Sequence, residues 1–286
     1  MRTSHRDANV LSRRVYTALA VAAGLVCLAV PPGFGQTSAY RTPRTADGKP
    51  DLNGIWQALN TANWDLEDHV AAPGPIMELG AAYAVPPGLG VVEGGSIPYQ
   101  PWAAEKKKQN FANRLKLDPE VKCFLTGVPR ALYMPYPFQI VQGQEWILMK
   151  FEYAGGLRTI YMTNHQEAPA DTWMGWSNGR WEGDTLVVDT TGFIEKDTLS
   201  HLDTRWLDRA GNFHSGALHV VERFTRVSAD RLHYEVTLED PKVFTRPWKI
   251  SMPLYRRAEP NVRLLEYGCV EFVEEMLYGH LRKKPS

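Results

Sequence analysis

Net charge is the first thing missing from this sequence: 32 Lys and Arg offset 32 Asp and Glu, a formal charge of zero. Basic runs are no longer than three residues, and Lys106-Lys107-Lys108 reads as a solvated helix face. Without a basic stripe, nucleic acid is not an expected partner. A glycine-rich phosphate loop is absent, and so is a strand–helix alternation, which sets aside a Rossmann fold. No internal repeat is present. Nothing like G-x-S-x-G surrounds Ser215, so its closeness to His214 and Asp208 is a weak basis for a serine hydrolase. Neither Cys123 nor Cys269 carries a nucleophile signature. The apolar run Val15–Val30 is 16 residues, short of the about 20 that span a bilayer.

That run has another use. Arg2, Arg6, Arg13 and Arg14 precede it, and Pro31, Pro32 and Gly33 break it. This is the order of a secretory signal, predicting residues 1–36 as a leader cleaved near Gly35–Thr37. Ser12-Arg13-Arg14-Val15-Tyr16 also resembles a twin-arginine signal, so export runs by Sec or by the twin-arginine route. Cys27 follows Val26, too bulky for a good lipoprotein site. The mature chain is expected to be periplasmic or secreted, without a transmembrane span. Its charge falls to −3, with 28 basic and 31 acidic residues. Two cysteines then remain, and an oxidising compartment favours one bridge, Cys123–Cys269, over two free thiols.

Hydrophobic residues are 44% and charged residues 22%, as in a globular protein. Arg41–Pro50 is polar, and Asp51–Trp56 reads as a turn into a short strand. Residues 70–100 are rich in Pro and Gly, the composition of a surface excursion that serves as a lid or binding loop. Trp102 to Leu115 has helical spacing, with Trp102, Phe111 and Leu115 as its apolar positions, and Asp118-Pro119 ends it.

Beyond Cys123 the period changes to two. Strands are expected at 138–141, 145–153, 157–163, 179–181, 185–190, 219–227, 232–239, 248–256 and 264–272, separated by Gly- and Asp-containing turns. A short terminal helix at 273–283 follows. The reading is a mainly β protein: an antiparallel up-and-down barrel over 123–286, closed to protect its edges, preceded by an irregular 37–122 segment with one helix.

Four stretches carry a family resemblance: Thr45–Trp56, Trp173–Val188, His214–Phe224, and Glu239-Asp240-Pro241 with Pro247-Trp248. They resemble a large family of exported bacterial proteins with a lipocalin-like, calycin-type barrel. That resemblance implies a fold and an address but no reaction. Where members carry a glycine–arginine pair ahead of the Trp173 motif, this chain has Thr163-Asn164.

Strand alternation supplies candidate chemistry. Leu218, Val220, Glu222 and Phe224 share one face, and three are apolar, so Glu222 should point inward. Desolvation would raise its pKa unless a cation pairs with it. It is then either a proton-transfer group or half of a structural ion pair with Arg158, Arg223 or Arg246. Glu266 alternates in the same way with Leu264, Gly268 and Val270, and two inward acids can divide into acid and base. Seven His follow the leader, and His165 is the preferred pocket group because it follows the strand carrying Arg158 and Tyr161. His214 and His219 are neither i, i+2 nor i, i+4, so no cofactor is predicted and a divalent metal would need His165 or His201 to converge from elsewhere. Trp173, Met174 and Trp176 either cap a barrel mouth over a ligand or simply pack.

Three functions fit these features. One is an exported lyase, isomerase or hydrolase acting on a small, partly apolar or aromatic molecule in a barrel cavity, with Glu222 or His165 as base and Arg158 and Tyr161 stabilising charge, and with Glu266 and His214 as ligand contacts. The second is a non-catalytic ligand-binding protein using the same cavity. The third is an envelope-assembly module contacting partners through residues 70–100. Oligomeric state leaves no mark in the sequence.

Overall fold

The computed structural model describes residues 40–74, 76–195 and 205–281. Contacts divide the chain after Tyr40, and every element below belongs to the unit that begins at Arg41. The expected 1–36 leader, with its arginine pair and Cys27, lies outside the described residues, as does His201.

Period-two patterning over short, β-branched and aromatic runs produces nine strands among the described residues. They are β1 (Gly54–Ala58), β2 (Phe138–Gln142), β3 (Trp146–Phe151), β4 (Leu157–Tyr161), β5 (Trp176–Glu182), β6 (Thr185–Thr191), β7 (His219–Ser228), β8 (Arg231–Glu239) and β9 (Trp248–Arg256). They close into a barrel in sequence order. β1 completes the ring by pairing with β2 (Trp56 opposite Phe138) and with β9 (Trp56 opposite Arg256). The barrel therefore begins well ahead of residue 123, and the 37–122 segment is not merely a prelude to it. Gly54 starts that closing strand at φ +139°, a backbone state that L side chains rarely adopt, and a Cβ there would stand 3.2 Å from Arg256 Nε.

A ring with an odd number of strands cannot alternate direction throughout. One seam must be parallel, and it is β4–β5, where Ile160 faces Ser177 and Tyr161 faces Asn178. The purely antiparallel meander is thus corrected at one seam, with residues 162–175 carrying the chain back to start β5 in the same direction as β4. The other seams are antiparallel, the longest joining β7 to β8.

Residues 264–272 are not a strand. With β1 already bonded to β9, the sheet has no free edge to accept another strand. The segment lies outside the barrel instead, with the Tyr267 ring packed on Tyr136 and Tyr153. Cys269 in this tail is bonded to Cys123. The disulfide therefore pins the tail to the segment ahead of β2, rather than tying a last strand to the barrel.

The helices are few. α1 (Pro101–Ala112) opens with Pro at its first position, where the missing N–H costs nothing. It buries Ala103 and Asn110, while Trp102 and Phe111 are exposed, so its predicted apolar face is not the one that packs. α2 (Arg114–Leu117) follows, then a 3-10 turn, Pro119–Lys122, capped by Asp118, whose carboxylate accepts from Glu120 N. α3 (Arg130–Tyr133) is wholly buried, and α4 (Val273–Tyr278) buries none of its residues. Residues 70–100 hold a short 3-10 stretch, Met77–Tyr83, and isolated bridges, one of them from Val92 to Ile250 of β9. No described helix is long and apolar enough to cross a membrane.

Candidate functional site

Glu222 lies where strand alternation puts it, inside the barrel and fully buried between Val220 and Phe224 on its face. Arg158 reaches it from β4 in a bidentate pair: Nη1 donates to Oε1 at 3.1 Å, and Nη2 donates to Oε2. Tyr234 Oη donates to the same carboxylate at 2.9 Å. The guanidinium is completed by Ser177 Oγ at 3.0 Å and Thr190 Oγ1 at 2.9 Å. Every valence points to another barrel residue, and both charged side chains are at most 2% exposed. Burial and the adjacent carboxylate push the Tyr234 phenol well above its ordinary range. This is a satisfied interior ion pair, with none of the access that proton transfer to a ligand requires.

The other expected site residues do not join it. His165 is exposed on the β4–β5 connection, and Glu266 is exposed on the C-terminal tail, so the paired-acid reading of Glu222 and Glu266 is corrected. Tyr161 stacks on Trp176 with ring centroids 4.5 Å apart. Trp173 stacks on Phe124 at 5.7 Å, and Met174 is buried in the core. These are packing partners rather than a convergent ligand cap. His214 is buried beside Phe193, with Nδ1 2.8 Å from the Ser215 carbonyl. Burial lowers its pKa to about 4, so it is neutral at pH 7. Ser215 Oγ donates to Asp240, not to an imidazole, which closes the serine-hydrolase reading. Among the described residues no three His, Cys, Asp or Glu side chains group as metal ligands.

A second cluster of buried charge lies outside the barrel, where three further chain segments meet α3. One is the turn after β1, residues 60–66, wound by Trp64 N bonding to the Thr61 carbonyl. The second runs from the end of α1 to Glu120. The third is the loop 205–213, pinched by the Trp206–Phe213 bridge. Gly211 lets that loop touch α1. Its φ is +84°, and a Cβ would stand 2.8 Å from both Asn110 Cβ and Phe111 N. Asn110 Nδ2 donates to the Gly211 carbonyl at 3.1 Å.

Arg130, fully buried on α3, is the hub of this cluster. Its two terminal nitrogens donate to Asp118 at 2.7 and 3.0 Å, one of them also to Glu120 at 2.8 Å, and its Nε donates to Asn63 at 2.9 Å. Glu120 receives Arg209 as well, Nε at 2.8 Å and Nη2 at 2.5 Å. Burial by itself would raise the Glu120 pKa, but Arg209 and Arg130 outweigh it and hold the carboxyl at about 2.

Beside the hub sits a pair of acids. Asn212 Nδ2 donates to Asp208 Oδ2 at 2.5 Å and to Asp65 Oδ1 at 3.2 Å, so one amide bridges two carboxyls. Asp208 also accepts from Leu66 N at 2.9 Å and Asn212 N at 3.1 Å. Burial first, and the neighbouring Asp65 second, push Asp208 up to about 7. Burial raises Asp65 as well, against the pull of Lys107. Burial thus raises both carboxyls that the Asn212 amide links, and the like charge of each disfavours ionising the other.

The pair is not sealed in. Asp65 lines a cleft of about 200 Å3 whose walls include Trp64, Val85, Phe111, Leu115 and Val121. Arg209 covers the Trp64 ring at 4.4 Å and borders this cleft on one side and a second cleft of about 200 Å3 on the other. The second cleft is walled partly by the disulfide-held tail, through Tyr267, Cys269 and Phe272. Arg158, Glu222 and Tyr234 line neither.

Sequence reasoning passed over Asp65, Asn212 and Arg209. No periodicity marks a loop residue, and Asp65 is far in the chain from the loop that carries Arg209 and Asn212. Two signals were available: Arg130 is a lone charge in an otherwise apolar Val128–Met134 run, and Asp208-Arg209-Ala210-Gly211 is a charged turn ending in Gly. No protein-family model matches the chain, and no curated protein matches it.

Proposed function

We propose that the protein is an exported small-molecule enzyme of the acid–base kind, a lyase, isomerase or hydrolase, and that it works in the Asp65 cleft outside the barrel rather than in the barrel bore. The observation that carries this reading is the shared Asn212 amide. It holds a solvent-reachable carboxyl against a buried one whose pKa is near 7. Acids in unequal environments divide into donor and acceptor. Asp65 faces the cleft and exchanges the proton with a bound molecule, and Asp208 behind it sets when Asp65 is charged. The apolar wall displaces water and strengthens that interaction. The leader-like N-terminus and the Cys123–Cys269 bridge support export into an oxidising compartment. The family resemblance supports the same address.

The test uses proton exchange rather than a presumed substrate. Small carbon acids, including arylacetic and β-keto acids, are incubated with the protein in D2O, and deuterium uptake is followed by NMR. Wild type should accelerate uptake for some members, and Asp65→Asn should lose about 100-fold or more of that acceleration. An Asp65→Asn protein as active as wild type removes the assignment. The mainly apolar wall also suits a plain carrier, which would bind the same molecules without exchanging them.

A further inference from the structure

The Asp65 cleft contains a charge that no carboxylate among the described residues answers. Arg209, Arg130 and Lys107 each face a carboxylate at 2.5–2.7 Å. Arg114, which lines the same cleft, does not. Its guanidinium lies 4.1 Å over the Phe111 ring, and its Nη1 donates to the Phe111 carbonyl at 2.9 Å. No carboxylate stands within ion-pair distance of it among the described residues. A guanidinium has five N–H donors, so most of this one's capacity is unspent. It is also half-buried, and burial lowers its pKa, so it lacks full hydration as well as a partner.

The surroundings narrow what would complete it. Val70, Ala72, Val85, Leu115 and Val121 make the wall apolar. A cavity of about 150 Å3 holds benzene, so about 200 Å3 suits one ring with a short substituent. Only one unanswered guanidinium is present, and Asp65 and Glu274 share the lining, so a doubly charged phosphate would meet repulsion that a single carboxylate largely escapes. We propose that the cleft binds a ring-sized apolar monocarboxylate, with the carboxylate on Arg114 and the ring against Val85, Phe111 and Leu115. Arg114 is then the residue that selects for the acid. This deepens the assignment of the cleft as the substrate site and rests on it.

Matched pairs test it. Phenylacetate and cyclohexanecarboxylate are compared with phenylacetamide and cyclohexanecarboxamide, and with phenyl phosphate, by calorimetry and ligand-observed NMR at pH 7. Each acid should bind about tenfold or more tighter than its amide and than the phosphate. Arg114→Gln should remove that preference, leaving acid and amide equal, while Arg114→Lys should keep part of it. The Arg114 side chain makes one hydrogen bond, to the last turn of α1, so both variants should fold, and thermal melting checks that. Amides binding as tightly as acids, phosphate binding best, or an acid preference that survives Arg114→Gln would each overturn the carboxylate assignment and leave the cleft assignment standing. If no probe of any charge binds in a way that Val85→Asp abolishes, the cleft itself is not a small-molecule site and both readings fall.

Discussion

The molecule buries two sets of charges, and they are built differently. Inside the barrel, Arg158 and Glu222 meet each other, Tyr234, Ser177 and Thr190, and nothing is left over. Outside, Arg130 and Glu120 are also buried, but Glu120 pairs with Arg209, which lines a cleft, and Asn212 beside them bonds Asp65 in the same lining. Burial raises the Tyr234 phenol inside the barrel and the Asp65 carboxyl outside it. Only in the second does a perturbed group meet space that a molecule could enter. A buried carboxylate is thus a poor guide to function by itself; unspent donors and an open wall are the better one.

The contrast is open to attack at three points. The largest effect should come from the barrel interior. Glu222→Leu leaves Arg158 buried without a partner and should cost about 3–5 kcal/mol in denaturant unfolding. Adding Arg158→Met should recover most of the loss, because apolar replacement of both partners removes the stranded charge. Cleft binding in the double variant should match wild type. A double variant that folds but loses binding would merge the two sites into one.

Next is the disulfide, which borders the second cleft. It closes a separation of 146 residues, so Cys123→Ser with Cys269→Ser should lose about 2–5 kcal/mol. Because α4 buries no residue, the tail should loosen before the barrel does. Hydrogen exchange that rises at 264–281 while β6–β8 stay protected would show this. A uniform rise would contradict it.

The smallest effect lies in the pH dependence. The folded pKa of Asp208, about 7, is above its ordinary 3.8, so its contribution is full below 3.8 and is lost as pH rises to 7. His214 acts in the opposite sense. Its folded pKa of about 4 is below 6.5, so its contribution is full above 6.5 and is lost as pH falls to 4. The two slopes oppose each other between pH 4 and 6.5. Asp208→Asn removes one of them and should steepen acid destabilisation by up to about 1.4 kcal/mol per pH unit. Urea midpoints taken across that range measure it, and an unchanged slope would deny Asp208 its raised pKa.

Much of the barrel was legible in advance because strands leave a period-two trace. The β9 bounds match the expected 248–256, and the Glu222 face follows from three apolar neighbours. The same rule misled at 264–272, where Glu266 falls in step with Leu264, Gly268 and Val270 but the closed ring has no edge to offer. It also misplaced the helix face, since α1 packs through Ala103 and Asn110, a small residue and a polar one that hydropathy does not flag. The Arg158–Glu222 pair was one of the alternatives that strand alternation left open. The cleft was not among them, because loop residues are positioned by caps, turns and long-range contacts that follow no period.

Local patterning alone determined the mainly β class, the inward turn of Glu222 and the two cysteines able to bond, since alternation, turn chemistry and residue count act over a few neighbouring positions. Tertiary structure alone decided that β1 closes the ring, that one seam runs parallel, and that Asp65, Arg114 and Arg209 meet around one cleft. Those outcomes depend on how many strands must join and on which distant loops are pressed together, and no short window of sequence contains either quantity.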